Sequence, residues 1–545
     1  MTQALRDIAR PVSFVELQAR FRWDIPEFFN FGTDVVDHYA TASDGPALSW
    51  CDEAGDERHY TFSQISRLSN QLANVMRGQG IEKGDRVIVM LPRRPEWMIA
   101  ITALMKIGAV PIPSIEMLTA RDIEYRVTNS GARGALCRAE HVAKFDAVRR
   151  SLCATVCIGT APGWVSWDDA MAAASGELAP ATVRAEDPAI MYYTSGSTGY
   201  PKGVIHASRA IYAWRVTALY WLDLRPGDTI WCTADTGWAK AGTSVIFGPW
   251  SCGAATFFYD GGFDAKRRLE LLASQKITVY CAPSTELSRL VDQRVADYDL
   301  SKLRRVVTAG EALNPATARR FESAVGVRID ESYGQTECLM VTVNMPGEPV
   351  HYGSMGRPGP GCDLDIIDAQ GHRLPAGEEG DVALMTPNPQ IMLEYWRDPE
   401  RTQSVHLTCD EGTWLLTGDR GVKDENGYFW FAGRSDDVIN SAGYRIGPLE
   451  VENALLEHEA VLTCAVVGSP DTERGELVKA FIILRDGFTP DERLTKTLQD
   501  HVKSFTAPYK YPRAIEYVRE LPLTATGKIK RRTLRDQEYE KAGRT

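Results

Sequence analysis

The residues best equipped for chemistry lie in one run, Thr194-Ser-Gly-Ser-Thr-Gly-Tyr-Pro-Lys-Gly203. Gly196 and Gly199 let backbone N–H groups turn toward an anion. The hydroxyls of Thr194, Ser195, Ser197 and Thr198 add donors, and Lys202 supplies positive charge. A triphosphate is the natural ligand of such a loop. The pattern GxxxxGK[ST] does not fit these residues, which disfavours an ordinary P-loop nucleotidase. The run follows the apolar stretch Ile190 to Tyr193, read as a strand, and precedes helical periodicity from Ser208 onward. A loop between strand and helix is therefore expected, a setting in which a flexible linker fits poorly.

Four further short motifs carry polar chemistry: Tyr333-Gly-Gln-Thr-Glu337, Thr417-Gly-Asp419, Gly433-Arg434 and Thr526-Gly-Lys528. Asp419 has the chemistry to accept both hydroxyls of a ribose. Gly310-Glu311-Ala312 follows a strand candidate at Arg305 to Thr308, and so lies at a strand's C-terminal edge, where α/β folds bind ligands. Lys528 stands in a polar, turn-prone segment beside Lys530, Arg531 and Arg532; taken alone, it reads as a solvated lysine.

Taken together, the phosphate-type loop and these four motifs, in this order, resemble the adenylate-forming superfamily of acyl-CoA synthetases, luciferases and peptide-synthetase adenylation domains. Asp235-Thr-Gly-Trp-Ala239, Ser441-Ala-Gly-Tyr-Arg-Ile-Gly447 and Ala507-Pro-Tyr-Lys-Tyr-Pro-Arg513 look most like medium-chain acyl-CoA synthetases. The resemblance implies an acid–thiol ligase that activates a carboxylic acid with ATP as an acyl-adenylate, releases pyrophosphate, and passes the acyl group to coenzyme A. Carboxylate and α-phosphate repel, so such a site must supply cationic and N–H groups where negative charge builds up.

By this resemblance the loop holds the β- and γ-phosphates, Glu337 ligates Mg²⁺, and Thr336 donates to the α-phosphate. Gly310, Glu311 and Ala312 flank the adenine and Tyr333 stacks on it, within an ATP-binding segment running Glu331, Ser332, Tyr333, Gly334, Gln335 and Thr336. Asp419 and Arg434 serve the ribose and phosphates. Lys528 comes over the α-phosphate and substrate carboxylate for the first step. A C-terminal domain then turns about Asp436, bringing Ala442, Gly443 and Tyr444 to the site, with Arg474, Ser504 and Arg513 meeting coenzyme A. Acetate-specific relatives carry a tryptophan where Gly334 stands, so Gly334 implies room for a larger acyl group, lined by Trp238, Thr336 and Leu339. Medium-chain, branched and aromatic acids stay open. A stand-alone adenylation enzyme loading a carrier protein is the nearest rival reading, and a non-catalytic nucleotide-binding protein a more distant one.

The elements that must position these groups are legible as an alternation of short apolar runs and helical periodicity. Strands are expected at Arg86 to Leu91, Val110 to Pro113, Ile190 to Tyr193, Thr278 to Cys281 and Arg305 to Thr308, and a helix at Pro95 to Met105. That is the signature of a parallel α/β sheet covered on both faces. From about Gly361 antiparallel strands follow, with Asn426-Gly427 as a hairpin turn. A boundary near Arg434 to Asp437 separates residues 1–435, an adenylation domain with a β subdomain, from 436–545, a small mobile α+β domain. In the latter, helices are expected at Pro448 to His458 and Leu494 to Phe505, and strands at Val461 to Val467, Val478 to Leu484 and Ala514 to Val518.

The 545 residues, 44% hydrophobic and 24% charged, suffice for a large core, and a net charge of −11 without a basic cluster argues against a nucleic-acid partner. Eleven cysteines at unpatterned spacing suggest neither disulfides nor a zinc site, and predict reduced thiols in a cytoplasm. The N-terminus does not read as a secretory signal. The uncharged stretch Ala241 to Tyr259 is expected to form buried strands and turns, with no membrane span.

Overall fold

The computed structural model describes residues 13–194, 201–311, 313–349, 351–434, 437, 439–441, 444–471, 474–506, 509–523 and 529–542, without the side chains of 440, 444 and 445. Contact density divides the chain into two compact units. One comprises Met1–Cys362 with Pro387–Ser404, the other Asp363–Thr386 with Val405–Thr545. The boundary read at 435/436 concerns which segment turns as a body, and compactness does not decide that.

The first unit is α/β. Its larger sheet runs, in order, Ile329–Ser332, Arg305–Ala309, Val279–Cys281, Thr229–Cys232, Ala255–Asp260, Pro46–Asp52 and Glu57–Thr61. All neighbours are parallel except the last pair. A second, wholly parallel sheet has the order Val110–Pro113, Arg86–Met90, Gly134–Arg138, Ala154–Ile158 and Val165–Ser166. Its strands are near-continuous apolar runs because both faces are covered; Val87, Ile88, Val89 and Met90 are all buried. The helix Pro95–Lys106 is buried along every residue, which explains why its sequence shows little amphipathic contrast. The helix Phe62–Gly78 starts at a capping box, Thr61 with Gln64, that satisfies two otherwise unpaired N–H groups.

Two expectations are corrected here. The phosphate-type loop does not run from strand to helix. Lys202–Ala207 is itself a strand, antiparallel to Pro188–Thr194 in a three-stranded sheet completed by Glu394–Tyr395, and the helix Ser208–Ala213 follows only after it. Gly203, Val204 and Ile205 are hydrophobic enough to extend either way, and pairing with both neighbours decides for strand. The uncharged stretch is also not wholly strand and turn. Ala239–Ala241, Gly242–Phe247 and Gly248–Ser251 form consecutive helical segments, the middle one a π-helix, before the strand Ala255–Asp260. Burial on all sides removes the periodicity that distinguishes helix from strand. Among the described residues, no helix is long and apolar enough to cross a membrane.

The second unit begins with antiparallel strands. Leu364–Ile367, Glu379–Thr386, Gly412–Lys423 and Phe429–Arg434 pair in sequence, and His406–Cys409 pairs with Gly412–Lys423. The Asn426-Gly427 turn is present, with Gly427 at φ 77°. Beyond it lies the α+β part. Val461–Asp471 pairs with Gly475–Leu484, which is flanked on its other side by Ile439–Ser441 and Ala514–Tyr517, with helices Pro448–Leu456, Glu492–Phe505 and Arg531–Lys541. Val451, Leu455, Val466, Ile482, Leu498 and Val502 form its core.

Candidate active site

Thr194 pairs directly with Lys202, so the two ends of the phosphate-type loop face each other across neighbouring strands. Ser195, Gly196, Ser197, Thr198 and Gly199 lie outside the described residues, as do Ala312, Asp436, Ala442, Gly443 and Lys528. The neck of the loop is held from the side by the Tyr125 hydroxyl, which donates to the Pro201 carbonyl at 2.9 Å. The buried Thr194 Oγ1 has no hydrogen-bond partner among the described residues. A buried unpaired hydroxyl is costly, and a phosphate oxygen would relieve it.

Residues 334–340 form a tight hairpin, Gly334–Gln335 against Leu339–Met340, with Thr336 and Glu337 in its turn. The Glu337 carboxylate is buried and accepts from two groups at once. Lys202 Nζ lies 2.8 Å from its Oε1, and the Tyr395 hydroxyl donates to the same oxygen at 2.7 Å. Lys202 also donates to the Tyr395 oxygen at 2.9 Å, closing a triangle. Burial alone would raise the Glu337 carboxyl. The adjacent ammonium and the two hydrogen bonds outweigh it and hold the group below the ordinary glutamate value. Burial and the neighbouring carboxylate push the Tyr395 phenol up, so it remains a donor.

Backbone contacts fix the same hairpin. Met392 N donates to the Glu337 carbonyl at 2.8 Å, and His206 Nε2 lies 2.7 Å from the Thr336 carbonyl oxygen. Burial pushes the His206 ring down to about 4, so it is neutral at physiological pH. Upstream, Tyr333 is half-buried. Its backbone N donates to Thr342 Oγ1 at 2.8 Å, and Ser332 Oγ donates to the Thr342 carbonyl at 2.7 Å. Glu331 is buried with Oε1 accepting from Leu313 N at 3.3 Å and Oε2 without a partner among the described residues; burial pushes its carboxyl up to about 8. Gly310 follows the strand Arg305–Ala309 at φ 91°, and Glu311 accepts from Ser284 at 3.1 Å.

Lys240 Nζ donates to the Ala309 carbonyl at 3.1 Å, bringing the segment after Trp238 beside Gly310. Trp238 is half-buried and Leu339 buried. Gly334 also has a role within the hairpin itself. A Cβ there would overlap the Leu339 carbonyl oxygen and crowd Met340 Cα at 2.8 Å, so the hairpin's own backbone fills the direction a side chain would take. Leu339 itself sits at φ 54°, a left-handed conformation that costs about 1–2 kcal/mol for a residue with a Cβ.

In the second unit, Asp419 and Arg434 face each other across paired strands, with Arg434 Nη1 3.3 Å from Asp419 Oδ1. Asp419 is buried, and Gly418, at φ 72° inside the strand Gly412–Lys423, lies where the register with Glu379–Thr386 shifts. Farther along, Ser441 pairs with Gly475, which sets the Ile439–Ser441 and Tyr444–Ile446 hairpin beside Arg474. Ser504 is exposed, and its hydroxyl donates to the His501 carbonyl at 2.7 Å. Arg513 donates to the Tyr511 hydroxyl at 2.9 Å and stacks on its ring, and Lys503, adjacent to Ser504, lies over the same ring at 4.2 Å.

The structure therefore joins Lys202, Thr336 and Glu337, and it adds two residues that sequence reasoning did not single out, Tyr395 and His206. Tyr395 stands beside Glu394 in the otherwise apolar run Ile391 to Trp396, and His206 is a lone imidazole in the strand that Lys202 opens. A single polar side chain without a motif around it is the only trace each leaves. Among the described residues, no three His, Cys, Asp or Glu side chains could together hold a metal. One buried carboxylate beside an anion loop suits Mg²⁺ that arrives with a nucleotide's phosphates, because that ion takes one or two carboxylates and fills its shell with phosphate oxygens and water.

Comparison with known proteins agrees with this geometry. Acyl-coenzyme A synthetase ACSM4, mitochondrial, of Homo sapiens is 40% identical over 550 residues, covering 97% of this chain and 94% of that protein. Acyl-coenzyme A synthetase ACSM3, mitochondrial, of Mus musculus is 38% identical over 546 residues, covering 97% and 93%. Among solved structures, the anthranilate CoA ligase AuaEII in complex with anthranoyl-AMP superposes with a TM-score of 0.87 at 32% identity, over 95% of this chain and 99% of that one. An acyl-CoA synthetase of Brucella canis gives a TM-score of 0.72 at 33% identity, over 97% and 98%. A benzoate CoA ligase of Burkholderia xenovorans LB400 gives 0.82 at 28%, over 93% and 100%. The family model described as AMP-binding enzyme matches residues 36–396, and that of the AMP-binding enzyme C-terminal domain matches 450–528. With the loop neck, the Glu337 hairpin and both family models on one chain, this protein belongs to the AMP-binding enzymes.

Proposed function

We infer that the protein is an AMP-forming acyl-CoA synthetase, joining a carboxylic acid to coenzyme A at the expense of ATP. The observation that carries the reading is the convergence of Lys202 and Glu337, distant in sequence, at the neck of the anion loop. In the first step an oxygen of the acid forms a bond to the α-phosphorus, and the bond from that phosphorus to the pyrophosphate oxygen breaks. The loop and Lys202 bind the departing phosphates, Thr336 donates to the α-phosphate, and Lys528 offsets the charge shared by the two anions. Asp419 and Arg434 take the ribose. Glu337 would hold Mg²⁺, which supplies charge neutralisation on the phosphates.

In the second step the coenzyme A thiol loses its proton to solvent, its sulfur bonds to the acyl carbon, and the acyl C–O bond breaks so that AMP leaves with the bonding pair. Arg474, Ser504, Arg513 and the 442–444 segment are the proposed coenzyme A contacts, and guanidinium groups suit its phosphates. The turn of residues 436–545 about Asp436 between the two steps is part of the same proposal. The acid is medium-chain, branched or aromatic, lined by Trp238, Thr336 and Leu339. Two similar structures are named as ligases of anthranilate and benzoate, which supports keeping aromatic acids in the set. A cytoplasmic location is likewise proposed, supported by eleven cysteines that are all free, and cell fractionation tests it.

The decisive assay measures AMP release from ATP with and without coenzyme A across acetate, C4 to C12 acids, isobutyrate, benzoate and salicylate. Coenzyme A-dependent AMP release with at least one larger acid is the expected result. AMP release that needs a carrier protein instead, or none with any acid, would overturn the reading.

A further inference from the structure

We propose that His206 is a positioning residue for adenylate formation, its Nε2–H pinning the Thr336 carbonyl and so the turn that carries Thr336 and Glu337. The strand Lys202–Ala207 presents Lys202 and His206 on one face, because side chains four apart on a strand point the same way. One face thus grips one hairpin twice. Lys202 takes the Glu337 side chain at 2.8 Å and His206 the Thr336 main chain at 2.7 Å.

A carbonyl oxygen only accepts, so the ring carries its proton on Nε2. Its Nδ1 is then a buried acceptor with no partner among the described residues, while the Trp214 ring packs edge-on at 5.3 Å. An apolar side chain would fill this space without stranding a polar atom. The imidazole is tolerated because it reaches a backbone oxygen that nothing apolar could hold. Leu339 in the left-handed region indicates that the hairpin is not in a relaxed backbone conformation, so it relies on outside pins to stay where it is. Burial, which depresses the ring's basicity, keeps the donor neutral and spares the site a second cation beside Lys202.

The inference rests on the adenylation activity proposed above, and its test separates the two. His206→Gln and His206→Met place unbranched chains of similar volume in the strand, one with a donor at the reach of Nε2 and one without. Acid-dependent ATP–pyrophosphate exchange is measured on each, beside acyl transfer from synthetic acyl-adenylate to coenzyme A. Misplacing a reacting group by about 1 Å costs on the order of 10²-fold, so the Met variant should lose about that factor in exchange kcat. The Gln variant should stay within about tenfold of wild type by the same reasoning. KM for ATP should move little in either, and acyl transfer should persist.

Equal losses in Gln and Met, or none in Met, would overturn the proposal. Absence of exchange in the wild type would instead defeat the function. Should the Met variant fail to fold, ¹⁵N spectra of histidine-labelled wild type decide, using His206→Gln to assign the missing ring. A neutral ring protonated on Nε2 supports the pin, and a ring protonated on Nδ1 refutes it.

Discussion

Replacing Tyr395 by Phe removes one oxygen from the triangle it forms with Lys202 and Glu337. The residue is 2% exposed, and a phenylalanine ring fills its place without opening more than the volume of the hydroxyl. Two hydrogen bonds are lost, at 2.7 Å to the carboxylate and 2.9 Å from the ammonium. Each involves a charged partner, worth about 1.5–3 kcal/mol in a buried setting. Lys202 and Glu337 still hold one another at 2.8 Å, so neither charge is left bare and the combined loss should be about 1.5–3 kcal/mol rather than twice that.

For a unit of this size that predicts a fall of roughly 2–5 °C in the thermal transition of the ligand-free protein. If the hydroxyl also orients both charged groups for adenylation, the same loss lowers exchange kcat by about 10–100-fold. A double-mutant cycle with Glu337→Gln reads the pair directly, and the coupling should exceed about 1 kcal/mol. Strictly additive effects, or a Tyr395→Phe variant with wild-type melting and exchange, would refute the triangle as a positioning device.

Lys528→Ala should lower acyl-adenylate formation by about 10²–10³-fold while leaving transfer from preformed acyl-adenylate; unchanged pyrophosphate exchange would remove the residue from the first step. Glu331 binds its proton more tightly folded than unfolded, so between its ordinary value of 4.5 and about 8 the folded state holds the extra proton and stability falls as pH rises. Glu331→Gln should flatten that slope, roughly 1.4 kcal/mol per pH unit at most, in chemical denaturation between pH 5 and about 8; an unaltered slope would contradict the burial argument. Gly334→Ala should destabilise the hairpin by about 1–3 kcal/mol through overlap with the Leu339 carbonyl, read as a lower melting temperature and reduced exchange; a variant as stable and active as wild type would show that the hairpin relaxes at little cost.

The sequence by itself determined the chemistry-bearing motifs and the elements around them. Thr194 to Gly203, Tyr333 to Glu337 and Thr417 to Asp419 are local signals, because glycine freedom, hydroxyl donors and charge act within a few residues. The parallel strands at Arg86 to Leu91 and Arg305 to Thr308 were equally legible, since double-sided burial writes itself as an apolar run. Strand against helix after Lys202, and helix against strand from Ala239, were not. Both segments are mostly apolar, and only pairing with Pro188–Thr194 and Glu394–Tyr395, or burial on all sides, settles them.

Tertiary structure alone decided that Tyr395 touches Glu337 and His206 touches Thr336. Neither Tyr395 nor His206 belongs to a recognisable motif, and no spacing rule links them to positions 336 and 337. It also gave Gly334 a packing role that the sequence does not show. From sequence a missing side chain reads as space, and in the fold the glycine also allows Leu339 and Met340 to lie against it. Short-range stereochemistry is encoded residue by residue, whereas contacts between distant segments exist only once the sheets have closed, and those contacts are what turn a set of motifs into a site.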